Sequence, residues 1–482
     1  MVTGDAATEP TPRSQPAAEL TPADRAGREQ FRHGLNRVGA AAALLVPVAV
    51  PLAFDPRRDE IFAPVKIAVA QLLLGLGLVA AALLLLLPAV APSLNGHPRR
   101  PPARRWTIVQ VADVGVAAFA LLEVAAYLHS FDRATSLRGE FPEYQGLLTV
   151  LGYVSAYALS RNVFRGGRRL PALFAALTVT TGLIGCYAVL QRLGLDPLWG
   201  TVSRPFATVG QANSMAAVLV VGLPCATATM LATRGASRIA AGVAGVAGLG
   251  GLVVSESRGA WLAVLFAAVL ALGLTHRKYR GRAVLVAAGL VAAVVAALLL
   301  TPVGHGLAAH VAKRARALDD LGNGSVGQHL VLNKVGLLIT ADHPWLGIGQ
   351  DVFPQVAQDY ADRDLDRVQA DLLRPYRVES PHNGLLGISS AAGLVALGAY
   401  LLALLSAAVA VARTRVQYPV AAVTLLAVLT AHLVSGLFMT AEVSSELIWW
   451  TALAASGALA ARPVVSDGPV VSDGPGPERS CG

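Results

Sequence analysis

The amino-acid sequence predicts an all-α protein, a polytopic transmembrane helix bundle of about twelve spans. Of its 482 residues, 54% are hydrophobic and only 14% are charged, whereas soluble domains usually carry about a quarter charged residues. The apolar residues form continuous runs, such as the uncharged stretch 67–91, and a bilayer core needs roughly 20 such residues in a helix. Because these runs do not alternate as barrel strands do, helices are the structure that satisfies their backbone groups in lipid.

The apolar runs divide into segments long enough to be read as separate spans, and prolines interrupt the first of them. The predicted spans are 38–54, 67–91, 107–128, 146–160, 171–191, 214–232, 238–254, 259–275, 283–301, 384–411, 419–439 and 446–461.

Positive charge is concentrated in alternate short connections, above all in 99–105, 161–169 and 277–282. Short cytoplasmic loops carry an excess of Lys and Arg, so these connections and both termini are predicted to be cytoplasmic. The long loop 302–382 then lies outside the cytoplasm. Within it, Gln328–Asp342 has apolar residues at near-helical spacing, so it either lies along the membrane surface or packs beneath the loop. We favour packing.

The ends of the chain are polar and rich in small residues, which is typical of disordered tails, and no cleavable signal peptide is apparent. The predicted organisation is a cytoplasmic tail over 1–37, spans one to nine over 38–301, the extracytoplasmic loop 302–382, spans ten to twelve over 383–461, and a second cytoplasmic tail over 462–482.

Composition argues against several kinds of partner and cofactor. The net charge of +9 is explained by arginines that flank the spans, so no nucleic-acid partner is predicted. Cys186, Cys225 and Cys481 have neither metal-ligand nor disulfide-framework spacing. The sequence has no P-loop, no dinucleotide fingerprint and no aspartate-rich metal motif, so neither a metal site nor a cofactor is expected.

Three side chains able to carry charge or protons are predicted to converge on the outer face. Arg204 precedes the sixth span, Arg258 lies in the short turn between the seventh and eighth spans, and His382 stands at the start of the tenth. One guanidinium group can bind two phosphate oxygens at once, and histidine is the commonest general base near neutral pH. Together they suit a lipid-linked diphosphate and its transfer chemistry.

Each of these residues also has an ordinary structural interpretation. Arg258 by itself would be an interface anchor, Arg204 a solvated loop residue, and His382 the partner of a helix cap at Asn383. Asp113 and Glu123, inside the third span, could form a proton relay or pair with an arginine. Further candidates for the same cavity or for the outer loop are Gln191, Asn213, Ser257, His343 and Asn383.

At these residues the chain resembles the O-antigen ligase and O-antigen polymerase family. "RPFATVGQANSMAAVL", beginning at Arg204, is similar to the family's R-x-x-x-T-F-G-N-x-N signature, with Val209 and Gln211 as departures and Asn213 retained. "SESRGAWLAVLFA" is similar to its S-R-G-A motif. "ITADHPWLGIGQDVFPQ" resembles its outer-loop segment, and "SPHNGLLGISSAAGLVAL" its H-N-x-x-L motif.

The resemblance implies a membrane glycosyltransferase of the GT-C type that needs neither metal nor nucleotide. It implies transfer of a glycan from an undecaprenyl diphosphate carrier to a glycan, lipid or protein acceptor at the outer face of the bacterial cytoplasmic membrane. Arg204 and Arg258 would bind the diphosphate, and His382 would activate or position the acceptor hydroxyl. Asn383, Asn213, Ser257, Gln191 and His343 would contact substrate.

Three alternatives remain open at this point. A polymerase would extend the lipid-linked glycan instead of moving it to another molecule, and the sequence does not separate it from a ligase. A secondary transporter or lipid flippase is compatible with twelve spans and the acids Asp113 and Glu123, although no internal repeat is visible. A non-catalytic subunit of an envelope assembly would not need a histidine facing two arginines.

Overall fold

The computed structural model describes residues 22–58, 60–86, 107–165, 167–275, 324–374, 378–439 and 441–461, with a few single positions between 280 and 288. These residues are helical, as predicted, and no named strand occurs among them. The predicted ninth span, 283–301, and the tail 462–482 fall outside this part of the chain, apart from three single positions in the span.

Fifteen helices follow one another along the described ranges. They are α1 (Pro22–Leu52), α2 (Ala63–Leu86), α3 (Ile108–Leu128), α4 (Arg133–Arg138), α5 (Leu147–Val163), α6 (Leu170–Arg192), α7 (Ala212–Ala232), α8 (Gly235–Ser255), α9 (Arg258–Leu274), α10 (Gly324–Asp342), α11 (Phe353–Asp364), α12 (Arg367–Asp371), α13 (Gly384–Arg413), α14 (Pro419–Gly436) and α15 (Val443–Ala460).

Eight of these helices are long and apolar enough to cross a membrane, which makes the chain a multi-pass membrane protein. They are α1, α2, α3, α6, α7, α8, α13 and α14. The predicted spans 146–160, 259–275 and 446–461 fall on α5, α9 and α15, which have 17, 17 and 18 residues.

The first helix begins earlier than the sequence analysis expects. α1 starts at Pro22, so residues 22–37, assigned above to a tail, are helical in the structure. Proline is favoured in the first turn of a helix, and Asp24 adds a negative charge near the positive helix end. The following residues are mostly strong helix formers with exposed side chains.

Small residues let the central helices approach closely. A Cβ built on Gly185 in α6 would lie 2.3 Å from the Ala247 carbonyl oxygen of α8, and one on Gly115 in α3 would lie 2.8 Å from the Ala403 nitrogen of α13. In lipid, association depends on such close packing, because apolar side chains gain little by leaving apolar tails. The glycines therefore set the spacing of these helix pairs.

Asp113 and Lys66, two charged residues inside the bundle, each have a partner of opposite charge. The carboxylate of Asp113 accepts hydrogen bonds from Arg161 Nε at 3.1 Å and from the Tyr157 hydroxyl at 2.7 Å. The Lys66 ammonium, which is fully buried, donates to Ser444 Oγ at 3.0 Å and lies 3.5 Å from the Glu442 carboxylate. Of the two interpretations offered for Asp113, pairing with an arginine is therefore the one observed.

The described part of the long loop is a small helical unit with its own core. Apolar residues of α10, α11 and α12 are buried against one another, which agrees with the expectation that Gln328–Asp342 packs beneath the loop. α10 also contacts α13, where Thr340 Oγ1 and Ser389 Oγ lie 2.9 Å apart.

The "HPWLGIG" turn after α10 docks into a break in α13. At Gly393 the backbone of α13 leaves the helical region, with φ +84° and ψ 172°. The freed groups bond the turn: Leu394 N donates to Pro344 O at 2.7 Å, and Ile348 N donates to Ser390 O at 3.0 Å. A Cβ at Gly393 would lie 2.2 Å from Trp345 O, so only glycine allows this approach. The turn thereby fixes the helical unit to the bundle.

Replacing Gly185 by alanine is expected to force α6 and α8 apart and to lower the free energy of unfolding by about 1–3 kcal/mol, the usual cost of overpacking. Thermal unfolding of the purified protein in detergent measures the change. Gly152→Ala on α5 is the matched control, since a Cβ there meets no atom within 4 Å. If both variants unfold at the wild-type temperature, the close α6–α8 contact is not required.

Candidate functional site

Arg204 joins two helices at one end of the bundle. Its Nη2 donates to Asn213 Oδ1 in the first turn of α7 at 3.0 Å, and Nη2 and Nε both lie 3.4 Å from the carbonyl oxygen of Ser255, the last residue of α8. The last carbonyls of a helix have no partner within it and carry partial negative charge, so a guanidinium is well placed there. Two of the predicted residues, Arg204 and Asn213, are therefore in direct contact.

Gln191 supports the loop that carries Arg204. Its side chain is fully buried, and its Oε1 accepts hydrogen bonds from the backbone amides of Phe206 at 3.1 Å and Ala207 at 2.8 Å. Thr208 Oγ1 anchors the same loop by donating to Pro51 O at 2.7 Å. Through these contacts the Gln191 oxygen positions the loop that carries Arg204.

Arg258 is the first residue of α9 and follows a sharp turn. α8 ends at Ser255 and is capped by Glu256, which has a left-handed backbone with φ +54°. Ser257, only 5% exposed, stands at the N-cap position of α9. Because Ser255 contacts Arg204 and lies three residues before Arg258, both arginines stand at the α8–α9 turn. A Cβ on Gly259 would lie 2.6 Å from Phe438, which places the start of α9 beside the end of α14.

His382 lies beside a second histidine that the sequence analysis missed. The imidazole rings of His382 and His329 have centroids 4.7 Å apart. The left-handed backbone of His382, with φ +52°, turns the chain immediately before α13, and its amide donates to Ser380 Oγ at 3.1 Å. Asn383 caps α13 by accepting from the amides of Leu385 and Leu386 at 3.1 and 3.3 Å.

The position of His329 on α10 could have revealed it. Residues seven apart lie on the same helix face, and Gly336, seven residues later, packs against Pro381 and Leu386. His329 is therefore a polar residue on the face of α10 that covers the start of α13. A polar residue on a packed helix face is the signal to look for.

Burial and neighbouring positive charge lower the pKa of both histidines. Desolvation, and then His329, lower the pKa of His382 from 6.5 to about 4. Desolvation, and then the charge of Arg258, lower the pKa of His329. Arg258, His329 and His382 thus form one electrostatic group, and both imidazoles are neutral near pH 7.

His343 stands apart from this group. It follows the last residue of α10, fourteen residues after His329, which corresponds to about 20 Å along a helix. Its ring contacts Phe131 edge-on, with centroids 5.1 Å apart. The structure therefore places this predicted residue at the docked turn and away from His382.

A cavity of about 180 Å³ lies beside the 380–384 segment. Ser380, Pro381, Asn383 and Gly384 line it, whereas the ring of His382 contacts His329. Its walls also carry four acidic residues, Glu123, Asp351, Glu379 and Glu446. Across the described part of the chain, no group of three or more His, Cys, Asp or Glu side chains is arranged to hold a metal ion.

Residues 243–401 match the family model described as O-antigen ligase. The chain carries an O-antigen ligase domain. This domain contains Arg258, His329, His382 and Asn383, whereas Arg204 and Asn213 precede it. The assignment supports a glycosyl-transferring role at a membrane. No curated protein matches the chain.

The lowered pKa values of the O-antigen ligase domain's two histidines predict a specific pH dependence of stability. Between pH 6.5 and about 4, the unfolded chain binds more protons at these histidines than the native protein does. The free energy of unfolding therefore falls as the pH falls through this window. A His329→Gln/His382→Gln variant should lose less stability than the wild type between about pH 7 and about pH 5, measured by thermal unfolding.

His343→Gln is the control for this comparison, because its ring lies away from the pair, and it should follow the wild type. A double variant that falls as steeply as the wild type would mean that the two buried imidazoles titrate normally.

Proposed function

We propose that the chain transfers a glycan from an undecaprenyl diphosphate carrier to an acceptor hydroxyl at the outer face of the bacterial cytoplasmic membrane. In this proposal both termini are cytoplasmic and the loop 302–382 lies outside. The reaction needs neither metal nor nucleotide, because the diphosphate is itself the activating leaving group.

One observation carries the proposal: cationic and imidazole side chains gather where helices meet at one end of the bundle. Arg204 bridges Asn213 and Ser255. The charge of Arg258 lowers the pKa of His329, whose ring contacts His382. The N-terminal ends of α7, α9 and α13, which carry partial positive charge, also lie at this end. Such a place favours a ligand with several negative charges, and a diphosphate is one.

In the proposed reaction the acceptor oxygen attacks the anomeric carbon of the carrier-linked sugar. The new carbon–oxygen bond forms as the bond to the phosphate oxygen breaks, and the lipid diphosphate leaves with the electron pair. Arg204 and Arg258 stabilise the charge that grows on the leaving group. Attack from the face opposite the leaving group inverts the anomeric centre.

His382 takes the proton of the acceptor hydroxyl. A general base must be unprotonated, and burial keeps this imidazole neutral. A diphosphate beside it would stabilise the imidazolium and raise the pKa of His382 towards neutrality. His382 would thus become an effective base once the donor is bound. The proton then passes to solvent.

Asp113 gives little support to the alternative of a transporter. Its carboxylate is held by Arg161 and Tyr157, so it has a structural partner within the bundle. A ligase and a polymerase share the proposed chemistry and differ in the acceptor. Supplying purified protein with a lipid-linked glycan, and either a second lipid-linked glycan or another acceptor, separates them.

Replacing His382 by alanine should lower the rate of glycan transfer by about 10²–10⁴-fold, the usual contribution of a positioned general base. Transfer by purified protein, without added metal or nucleotide, measures the effect, and immunoblotting of membranes shows whether the variant is inserted. His343→Ala is the matched control and should retain transfer. Normal transfer by the His382 variant would refute the assignment.

Replacing Arg258 by lysine should weaken binding of undecaprenyl diphosphate by about 10–100-fold, because lysine keeps the charge but not the paired geometry. Binding is measured directly on the purified protein. Arg363→Lys is the control, since the Arg363 guanidinium donates to the Asp342 carboxylate at 2.9 Å, beside the docked turn and away from His382. Equal loss in both variants would indicate a general effect of arginine replacement.

A further inference from the structure

The cavity beside the 380–384 segment is lined by none of the four residues Arg204, Arg258, His329 and His382. We propose that it binds one uncharged sugar ring of a glycan substrate through that ring's hydroxyl groups. That this sugar belongs to a substrate rests on the proposed function, whereas its binding does not. The volume of about 180 Å³ suits a single ring.

The polar groups in the wall include several hydrogen-bond acceptors. The Glu123 carboxylate, in a residue only 3% exposed, accepts from Gln350 Nε2 at 2.6 Å. Gln145 Oε1 accepts from the Tyr153 hydroxyl at 2.7 Å. Glu446, Asp351 and Glu379 add further carboxyl groups to the lining. A ligand that offers several O–H donors satisfies such a wall.

His432 adds a buried imidazole to the wall of the cavity. The residue is 6% exposed and lines the cavity. Its Nε2 lies 3.5 Å from Glu446 Oε1, whereas its Nδ1 has no hydrogen-bond partner among the residues that the structure describes.

The lining also excludes the diphosphate of the donor. Neither lysine nor arginine is among the described residues that form the wall, and four carboxyl groups are. A diphosphate placed there would find no guanidinium or ammonium group in the described wall to balance its charge, so the phosphates belong with the cluster of arginines and histidines. Phe119, Tyr400 and Trp450 provide aromatic faces, which suit the weakly positive C–H groups of a sugar ring.

The cavity reaches into the bundle from the same end as the cationic group. His382 stands in the segment between them, and its neighbours Pro381 and Asn383 line the cavity. A sugar held there would therefore lie beside Pro381 and Asn383, the two residues that flank the proposed base. Donor and acceptor sugars offer the same hydroxyl chemistry, so the experiment must separate these two sources.

Gly387 allows the cavity to be filled without removing a hydrogen bond. It lines the cavity, and a Cβ built on it meets no atom within 4 Å. Gly387→Leu should therefore occupy the space. Gly398→Leu on the same helix is the matched control, because it also has open space within 4 Å and does not line the cavity. Glu446→Gln, which keeps the shape, is a second variant if the first fails to fold.

Saturation-transfer NMR measures binding directly, with the protein in lipid nanodiscs so that no sugar detergent competes. The probes are methyl hexopyranosides and methyl N-acetylhexosaminides, with cyclohexanol and ethanolamine for comparison. Wild type and Gly398→Leu should bind at least one glycoside. Gly387→Leu should lose the signal, and Glu446→Gln should weaken binding about tenfold. A glycoside signal that survives Gly387→Leu, or an equal signal from ethanolamine or cyclohexanol, would overturn the proposal.

Two further readouts separate this inference from the proposed reaction. Gly387→Leu should bind undecaprenyl diphosphate as the wild type does, while losing glycan transfer. In the transfer assay, a glycoside that competes with the acceptor assigns the cavity to the acceptor sugar, and one that competes with the donor assigns it to the donor sugar. If no transfer occurs with any protein, the proposed function fails, and the NMR result still decides the sugar site.

Discussion

The guanidinium of Arg204 determines how three helices meet at the site. By donating to Asn213 of α7 and to the last carbonyl of α8, it links the chain before α7 to the turn that begins α9. A helix end buried without partners is costly, and here an arginine supplies them. Arg258 follows Ser255 by three residues, so the same contact helps to position Arg258. The arrangement of positive charge at this end therefore follows from one hydrogen-bonded bridge.

Two electrostatic environments meet at the 380–384 segment. In one, His382 contacts His329, within the field of Arg258. In the other, a cavity is lined by carboxyl groups and aromatic rings. In the proposed function and the further inference, phosphate binds near the arginines and sugar hydroxyl groups bind in the cavity. A reaction that breaks a sugar–phosphate bond needs both kinds of surface next to each other, and the left-handed turn at His382 lies between them.

The helical fold followed from long apolar runs, which leave few other structures possible in lipid. Arg204, Arg258 and His382 could be selected because each is polar at a span end. His329 could not be found in this way, because its significance depends on how α10 packs over α13. His343 belongs to a recognisable motif, yet it follows the last residue of α10 and therefore lies in the docked turn, where its ring contacts Phe131. Residues 22–37 look like a tail because their exposed helix buries little apolar surface.

The most direct test of the account is a cryo-electron microscopy structure of the protein in nanodiscs with undecaprenyl diphosphate. The account predicts density for the two phosphates between Arg204 and Arg258, with His382 or His329 beside them and the carboxylate-lined cavity free of phosphate. Phosphate density inside that cavity, or at the opposite end of the bundle, would contradict it.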